Sequence, residues 1–437
     1  MKDTRPLRVL LVNTSDQTGG AAIAAMRLLK ALRTQRDVEV KFLCRDRQSP
    51  DSQEEIVSLE PSFWQTWKFV WERGEIFLAN GLRKAGLFAI DTGRYGTDIT
   101  NLPEFEEADV IHLHWVNQAM LSLRNIRKIL RSGKRVVWTM HDMWCFTGVC
   151  HYASSCENWR TRCLRCPQLH HPWRFDLSAF TFRAKQKTFR KAPKPVTFVG
   201  CSKWLASLAA EAPLLKGHKV VSIPNPIDTD FYAPAENPAA VRAKLNLPSN
   251  KRILLFTAYK VTDPIKGFNY LTEALMLLVE ENPEMREKLV LVLVGKRGEE
   301  ARDAFPIETR AMGYVTSCER MRELYQAADL LLMPTMMDNL PNTISEAMAC
   351  GTPCVAFNVG GVPQMVDTGV NGYLADYCNS LDFARGIVRI LTSASYDALC
   401  RNARSKALVS YGEKIIAEKY MDIYKDAYDR EERMEEK

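Results

Sequence analysis

The stretch RVLLVNTSDQTGGAAIAAMRLLKALR (Arg8–Arg33) contains a short apolar run, a polar loop with two adjacent glycines, and a segment with helical spacing. It predicts a first strand at Arg8–Asn13 and a first helix at about Ala21–Arg33. The same alternation of strand-length apolar runs with helical patterns continues through most of the chain. Such alternation is typical of parallel sheets covered by helices on both faces.

The alternation forms two series, separated by the polar, proline-containing stretch Ala233–Asn250. Further strands of the first series are predicted at Val38–Cys44, Val110–His114, Val136–Met140, Thr197–Cys201 and Val220–Pro224. The second series predicts strands at Arg252–Ala258, Leu289–Gly295, Asp329–Pro334 and Pro353–Phe357, with helices near Asn269–Glu281 and Ser317–Ala328. The fold class is therefore α/β, with two doubly wound Rossmann-like domains.

We place the domains at residues 1–234 and 235–411, facing a central cleft. Ligands of open parallel sheets bind at the carboxyl ends of the strands, so the cleft is the expected active site. Residues 412–437 carry apolar side chains at helical spacing, which predicts an amphipathic helix that packs back on the first domain. The first domain also contains a cysteine-rich insertion at about residues 145–175.

The composition excludes several classes of protein. The chain has 437 residues, of which 46% are hydrophobic and 25% charged, as in ordinary globular proteins and unlike disordered chains. Glycines and prolines interrupt the longest charge-free stretch, Ala347–Val366, and the N-terminus lacks a signal cleavage site. We therefore expect a cytoplasmic protein.

Positive charge is concentrated between Leu121 and Lys194, where sixteen Lys and Arg residues face three acidic ones, although the whole chain carries only +7. Such a segment can attract the phosphates of a nucleotide, a nucleic acid or an anionic lipid surface. A solvated basic face explains it equally well.

A second unusual segment is rich in aromatic residues. Phe63, Trp64, Trp67 and Trp71 recur at helical spacing among lysines and arginines. This pattern predicts an amphipathic helix, which either rests on a membrane surface or simply covers the first sheet.

The sharpest chemical pattern is DNLPNTISE, from Asp338 to Glu346. Pro341 and Asn342 suit a turn into a helix that begins near Thr343. Amides at that N-terminus would face an anion, and Glu346 one turn inside could accept hydrogen bonds from ribose hydroxyls. Two carboxylates that merely cap a helix would give the same local pattern.

Four cysteines with the spacing C-x5-C-x6-C-x2-C cluster in the basic insertion: Cys150, Cys156, Cys163 and Cys166. A tetrahedral structural zinc would close such a loop, with the C-x-x-C pair as one half of the site. Cys145 and His151 are alternate ligands, and disulfides or free thiols are the alternatives to a metal site.

The Asp338–Glu346 pattern, followed by AMACGTPCVAF, GGVPQMV and GVNGYLA, resembles the retaining glycosyltransferases of family 4, which have the GT-B fold. The resemblance also includes IPNPID at Ile223–Asp228 and covers nearly the whole chain. The segments HLHW (His112–Trp115) and WTMHDMWCFTGVCHY (Trp138–Tyr152) are similar to a subgroup that builds bacterial exopolysaccharides of the colanic acid type.

The resemblance implies a role for each matching residue. Lys266 would neutralise the donor diphosphate, and Glu346 would hold the donor ribose. Asp338 stands where the family has a glutamate that touches the donor sugar. His141 would line the donor sugar as well. The remaining positions are amides or close backbone approaches: Asn342 and Thr343 at the diphosphate or sugar, and Gly19 and Gly20 at the phosphate or acceptor.

One departure concerns the family arginine that usually precedes the lysine. Here the stretch is AYKVTDPIKG, where Lys260 would have to substitute.

The resemblance further implies that transfer needs no divalent metal and that donor phosphate oxygen takes the acceptor proton. The predicted substrates are a nucleotide-diphosphate sugar and a glycan or lipid-linked acceptor in bacterial polysaccharide synthesis, at the inner face of the cell membrane if the aromatic helix binds lipid.

Three other functions compete with this one. No G-x-G occurs in the chain, so the dinucleotide fingerprint of a dehydrogenase is absent. A sugar-nucleotide epimerase would share the two-domain architecture. A zinc-dependent nucleic-acid-binding protein would use the basic segment but leave the second domain unexplained, so no nucleic acid is expected as a partner.

Overall fold

The chain divides into two compact units in a computed structural model that describes residues 5–50, 52–84 and 86–435. Unit 1 comprises Met1–Pro226 and Ile416–Lys437, and unit 2 comprises Ile227–Ile415. The boundary falls a few residues before position 234, because the N–H of Ile227 donates to the carbonyl oxygen of Tyr411 (2.8 Å) and ties this segment to unit 2.

Unit 1 contains a seven-stranded, all-parallel sheet with the strand order β3-β2-β1-β4-β5-β6-β7. Its strands are β1 (Leu7–Val12), β2 (Val38–Cys44), β3 (Ile56–Ser58), β4 (Val110–Leu113), β5 (Arg135–Met140), β6 (Thr197–Gly200) and β7 (Lys219–Ser222). The order reverses between β1 and β4, as in doubly wound sheets.

Unit 2 contains a six-stranded, all-parallel sheet with the order β10-β9-β8-β11-β12-β13. Its strands are β8 (Arg252–Lys260), β9 (Leu289–Lys296), β10 (Glu308–Ala311), β11 (Leu330–Met333), β12 (Cys354–Phe357) and β13 (Gly372–Ala375). The predicted fold class, with two Rossmann-like domains, is confirmed.

Helices connect the strands of both sheets. Those of unit 1 are α1 (Gly20–Arg33), α2 (Phe63–Ala79), α3 (Pro103–Glu107), α4 (Leu123–Arg131), α5 (Leu177–Phe189) and α6 (Lys203–Glu211). Those of unit 2 are α7 (Pro238–Lys244), α8 (Phe268–Glu281), α9 (Met285–Lys288), α10 (Gly298–Ala301), α11 (Cys318–Ala327), α12 (Asn342–Ala349), α13 (Ser380–Leu391) and α14 (Tyr396–Tyr411). The last helix, α15 (Glu413–Glu435), leads out of unit 2 into unit 1.

The helix α15 completes the core of unit 1. Apolar side chains of its first half, including Ile416 and Met421, are buried with β1, β2 and α1. Two tyrosines add polar contacts inside that core: the hydroxyl of Tyr424 lies 2.6 Å from Nδ1 of His112, and the hydroxyl of Tyr420 lies 2.8 Å from the Thr139 hydroxyl. The prediction that the C-terminal helix packs back on the first domain is confirmed.

These buried contacts predict a pH dependence of stability. Burial, together with nearby His141, lowers the pKa of His112 from an ordinary 6.5 to about 3. Between these values the unfolded chain takes up a proton that the folded protein does not bind, so the free energy of unfolding falls as the pH drops through this range. We expect His112→Asn to reduce the slope by up to about 1.4 kcal/mol per pH unit.

Urea unfolding at several pH values between 7 and 4.5 measures this slope. The matched control is His171→Asn, the same substitution at an exposed position, measured under the same conditions. Equal slopes for His112→Asn and the unmodified protein would contradict the assignment.

Candidate active site

In unit 2, Lys266 is held by a tight turn. It ends a single 3-10 turn, Pro264–Lys266, and the next residue, Gly267, has a φ of +79°. A Cβ at Gly267 would lie 1.8 Å from the carbonyl oxygen of Pro334, so only glycine fits there. The N–H of Met336 also donates to the Ile265 carbonyl oxygen (2.8 Å). The turn is therefore fixed against the segment that follows β11.

That segment brings Asp338 to Lys266. The Lys266 ammonium lies 2.9 Å from Oδ2 of Asp338, and the two side chains are 32% and 16% exposed. The backbone of Asp338 packs on a glycine, since a Cβ at Gly360 would lie 2.0 Å from the Asp338 carbonyl oxygen. Two predicted site residues are thus in direct contact. An anion that binds Lys266 must compete with this carboxylate.

The helix α12 begins beside this pair. Asn342 and Thr343 are its first residues, Pro341 precedes them, and the first turn contains no acidic side chain. The helix dipole and the backbone amides at such an N-terminus attract anions. The structure therefore places both predicted residues where their amides can bind a phosphate.

Glu346, one turn further along α12, is buried and oriented by a tyrosine. Its Oε2 accepts a hydrogen bond of 2.7 Å from the hydroxyl of Tyr325, on α11. Burial, and then the neighbouring Glu346 carboxylate, raise the pKa of Tyr325 well above its ordinary value, so the phenol keeps its proton and donates it. Sequence analysis did not identify Tyr325, because an isolated tyrosine in a helical pattern carries no motif.

The predicted substitute for the family arginine, Lys260, ends β8. Its side chain is exposed, and it pairs in register with Lys296. Its role in donor binding stays a prediction.

In unit 1, the predicted glycine pair lies at the start of α1. Gly19 occupies the N-cap position with a φ of +91°, and a Cβ placed there would meet no atom within 4 Å. Gly20 is the first helical residue, and no acidic side chain lies in the first turn. The helix therefore begins with exposed backbone and open space in front of it.

His141 directly follows β5, at the carboxyl edge of the sheet of unit 1. Its Nε2 lies 3.1 Å from Nδ1 of His114, which follows β4, and its Nδ1 lies 3.6 Å from the sulfur of Cys201. Burial lowers the pKa of His141 to about 4, so the ring is neutral near pH 7. A neutral ring can donate a hydrogen bond to a sugar oxygen or accept one from a hydroxyl.

A buried charged network supports the loop that carries His141. Oδ2 of Asp142 accepts from the indole of Trp115 (2.9 Å) and lies 2.6 Å from Nδ1 of His151. The other ring nitrogen of His151 lies 2.7 Å from Asp91, which pairs with Arg73 of α2. Burial alone would lower the pKa of His151, but the two carboxylates outweigh it and raise the value to about 10. Sequence analysis missed this network.

The four predicted zinc ligands come together around one small cavity, with Cys150, Cys156, Cys163 and Cys166 all in its lining. The sulfur of Cys163 accepts a hydrogen bond from the N–H of Gly148 (3.1 Å). Burial raises the pKa of the Cys163 and Cys166 thiols to about 12. All twelve cysteines are free, and among the described residues no group of three or more His, Cys, Asp or Glu side chains has metal-binding geometry. Structural zinc therefore stays a prediction.

Metal analysis of protein purified without chelator tests that prediction. A tetrahedral site of four cysteines would give about one equivalent of zinc, and Cys163→Ser should release it while Cys354→Ser, at a buried cysteine outside the cluster, should not. Less than about a third of an equivalent in the unmodified protein would contradict the site.

Two family models match consecutive parts of the chain. The model described as "Glycosyltransferase Family 4" matches residues 18–231, and the model described as "Glycosyl transferases group 1" matches residues 251–393. Together they cover most of the chain, the first largely in unit 1 and the second within unit 2.

Curated relatives match more limited parts. The D-inositol 3-phosphate glycosyltransferase of Thermobispora bispora is 27% identical over 222 residues, which cover 48% of this chain and 51% of that protein. The protein of the same description from Streptomyces bingchenggensis is 32% identical over 184 residues, covering 39% of this chain and 40% of that protein. The chain thus spans about half the length of these relatives or less.

Solved structures match along nearly the whole chain. The sucrose-phosphate synthase of Thermosynechococcus elongatus has a TM-score of 0.66 at 19% identity, covering 97% of this chain and all of that one. Anabaena HepE in complex with UDP and glucose has a TM-score of 0.61 at 16% identity, covering 96% of this chain and all of that one. At these identities the likeness shows the shared fold.

These matches carry the glycosyltransferase assignment and lend no support to the epimerase or the nucleic-acid-binding alternative. Two matching family models, two Rossmann-like units and the neighbours in fold agree with one another. Residues 18–231 are therefore similar to glycosyltransferases of family 4 and residues 251–393 to glycosyl transferases of group 1, on two Rossmann-like units that share the GT-B fold.

Proposed function

We propose that this protein transfers a sugar from a nucleotide-diphosphate donor, with retention of the anomeric configuration, to a glycan or lipid-linked acceptor in bacterial polysaccharide synthesis. The observation that carries the proposal is the arrangement in unit 2. A fixed lysine contacts Asp338 in the loop after β11, and the helix that follows this loop has no acidic side chain in its first turn and carries a buried, oriented carboxylate. These groups suit a diphosphate and a ribose.

In the proposed reaction, the residues of unit 2 stabilise the leaving group. As the bond from the anomeric carbon to the diphosphate breaks, negative charge grows on the phosphate oxygens. Lys266 and the amides of Asn342 and Thr343 offset that charge, and preformed donors of this kind are worth more in the transition state than in water. Glu346 holds the ribose and thereby the register of the donor.

The protein needs no nucleophile of its own in this scheme. The acceptor hydroxyl attacks on the face from which the diphosphate leaves and gives its proton to a donor phosphate oxygen. In unit 1, the resemblance assigns His141 a hydrogen bond to the donor sugar, for which its ring must exchange a contact with His114 or Cys201. Asp142 and His151 fix the loop that presents this ring.

A panel of nucleotide sugars tests the donor assignment. A ligand present at a hundredfold its dissociation constant stabilises the folded protein by about 2.7 kcal/mol, which is readily visible as a thermal shift. We expect clearly different thermal shifts with UDP, GDP, ADP and CMP sugars. If none of them stabilises the protein, the proposal fails. NMR of the product must show the anomeric configuration of the donor, and inversion would refute retention.

The finer assignment to exopolysaccharide synthesis rests on the resemblance at His112–Trp115 and Trp138–Tyr152. The curated relatives named above are described as inositol phosphate glycosyltransferases, so a polyol phosphate is the competing acceptor. Assaying transfer to D-inositol 3-phosphate and to lipid-linked glycan extracts in parallel distinguishes the two. Transfer to the inositol phosphate alone would overturn the exopolysaccharide assignment.

We also propose that unit 1 binds a membrane surface. None of the described helices has the length and hydropathy needed to span a bilayer. In α2, however, only Glu72, Arg73 and Ile76 are buried, so its tryptophans do not cover the sheet. Five large side chains, which we call the aromatic face, are 41% to 71% exposed: Phe63, Trp64, Trp67, Trp71 and Leu78.

Exposed cations surround the C-terminal end of α2. The Asn80 side chain accepts a hydrogen bond from the N–H of His170 (2.7 Å), which brings the segment with exposed Trp173 and Arg174 beside this end. Arg83 and Lys84 are exposed as well. Aromatic side chains and cations on one surface suit the interface of an anionic bilayer.

The membrane proposal predicts the effect of removing three tryptophans. Replacing Trp64, Trp67 and Trp71 with serine should lower binding to vesicles of phosphatidylglycerol and phosphatidylcholine at least about tenfold in sedimentation, because each ring loses its apolar burial. The matched control replaces three exposed apolar side chains of unit 2 with serine, namely Met276, Val370 and Val409. Equal loss in both variants, or no vesicle binding by the unmodified protein at low salt, would contradict the proposal.

A further inference from the structure

A cavity of about 770 Å³ lies in unit 1 between the loop after β2, the end of β3 and the first turns of α2. We call it the α2 cavity. Its size is within the range of small-molecule sites. Because it lies at the carboxyl ends of β2 and β3, it occupies the edge of a parallel sheet at which ligands usually bind.

The wall of the α2 cavity is ordered by the protein itself. The Asp16 carboxylate accepts hydrogen bonds from the N–H groups of Gln48 and Ser49, at 2.9 and 2.8 Å, and from the Ser49 hydroxyl. The Arg47 guanidinium donates to the carbonyl oxygens of Ile56 (2.7 Å) and Pro50 (2.6 Å). A ligand therefore meets a preformed site and does not have to order this loop.

The lining of the cavity combines three kinds of group. Two guanidinium groups, Arg45 and Arg47, stand against one carboxylate, Asp46, so the lining is net positive. Hydroxyl and amide side chains, such as those of Gln65 and Thr66, supply neutral donors and acceptors. Phenylalanine rings add apolar surface. The guanidinium groups already donate to Asp46, to the Gln118 carbonyl oxygen and to carbonyl oxygens of the loop, so they contribute net positive charge that attracts a phosphate. Hydroxyls, amides and aromatic rings together suit sugars.

The cavity also adjoins the aromatic face of α2. Phe63 lines the cavity and is 70% exposed. Its ring lies 6.0 Å from that of Trp64 and 5.6 Å from that of Trp67. A ligand in the cavity could therefore extend an apolar chain directly onto this face.

We infer that the α2 cavity binds the sugar-phosphate head of a lipid-linked acceptor, while the lipid chain lies along the aromatic face. The inference rests on the proposed transferase function and narrows its acceptor to an amphipathic glycosyl phosphate. The polar head would contact the charged and polar lining of the α2 cavity, and the apolar tail would contact the adjoining aromatic face.

The test measures binding of glucosyl farnesyl diphosphate by isothermal titration below its critical micelle concentration. Thr66→Trp fills the cavity and should weaken binding at least about tenfold, which corresponds to about 1.4 kcal/mol. Val70→Trp adds the same side chain one turn further along α2, outside the cavity lining, and should change the affinity less than about twofold. Thermal unfolding of both variants shows whether they fold normally.

Two further ligands separate the outcomes. Inorganic diphosphate and farnesyl phosphate should each bind more weakly than the complete probe. If inorganic diphosphate binds as tightly as the probe, or if Thr66→Trp and Val70→Trp bind the probe equally, the assignment of the cavity is overturned. A nucleotide sugar that still stabilises the protein would leave the transferase proposal standing, whereas failure of every nucleotide sugar would remove both.

Discussion

Replacing Lys266 with alanine should lower kcat/KM for sugar transfer by about 100- to 1000-fold, because a preformed cationic donor at the leaving diphosphate is lost. The position is suited to this role, since Gly267 and the Pro334 carbonyl oxygen fix the turn while the ammonium remains 32% exposed. The ion pair with Asp338 is partly solvated and contributes about 1 kcal/mol or less to stability. Steady-state kinetics with the identified donor and thermal unfolding without it separate the two effects.

Three controls sharpen this expectation. Lys266→Arg keeps the charge and should restore part of the rate. Lys260→Ala removes a nearby exposed cation of the same unit, and a comparable loss there would show that Lys260 serves as the family arginine. Asp338→Asn frees the ammonium but removes a predicted sugar contact, so it should impair transfer without abolishing donor binding. Retention of more than about a tenth of the activity by Lys266→Ala would refute the phosphate assignment.

The fold could be predicted because buried parallel strands are continuous apolar runs. β8 and β9, for example, have nearly uninterrupted buried stretches and were predicted to within a few residues. The three strands that sequence analysis missed, β3, β10 and β13, all lie at sheet edges and have three or four residues each. An edge strand pairs on one side only and is half-buried, so its residues lack the apolar pattern.

The candidate site could be predicted from the sequence only in part. Lys266, Asp338 and Glu346 lie in local motifs and were therefore visible in the sequence. The groups that hold such residues in place come from distant positions: Tyr325 is 21 residues from Glu346, and Asp91 is 60 residues from His151. Tyr325 meets Glu346 through the packing of α11 on α12 in unit 2, and Asp91 meets His151 through the packing of loops in unit 1. Neither periodicity nor spacing encodes that packing.

The cysteine cluster and the aromatic helix show why composition alone leaves alternatives open. Cys163 and Cys166 line one cavity with the other two predicted ligands, yet their arrangement in the structure has no metal-binding geometry. The aromatic helix could equally have covered the sheet. Its orientation was decided by Glu72 and Arg73, which turn inward to bind Thr92 and Asp91 and so leave the tryptophans outside.

The second large effect is expected at Glu346. Glu346 is 7% exposed, and Oε2 of its carboxylate accepts a hydrogen bond from the Tyr325 hydroxyl. The orientation of the carboxylate is therefore set before a donor binds. Hydrogen bonds to a charged acceptor contribute about 1.5 to 3 kcal/mol, and Glu346→Gln should therefore raise the donor dissociation constant about 10- to 100-fold. Tyr325→Phe removes only the orienting bond and should weaken donor binding about two- to tenfold.

A donor analogue decides whether the ribose is the group that Glu346 binds. The unmodified protein should bind the 2′,3′-dideoxyribose form of the nucleotide diphosphate about as weakly as Glu346→Gln binds the natural form, since both lack the same hydrogen bonds. Glu346→Gln should bind the dideoxy form almost as tightly as it binds the natural form. The substitution and the removal of the hydroxyls delete the same interaction, so their effects on the binding free energy are not additive. Additive losses in this cycle would show that the carboxylate acts elsewhere, on the sugar or through the helix. Unequal unfolding temperatures of the free variants would identify a purely structural role.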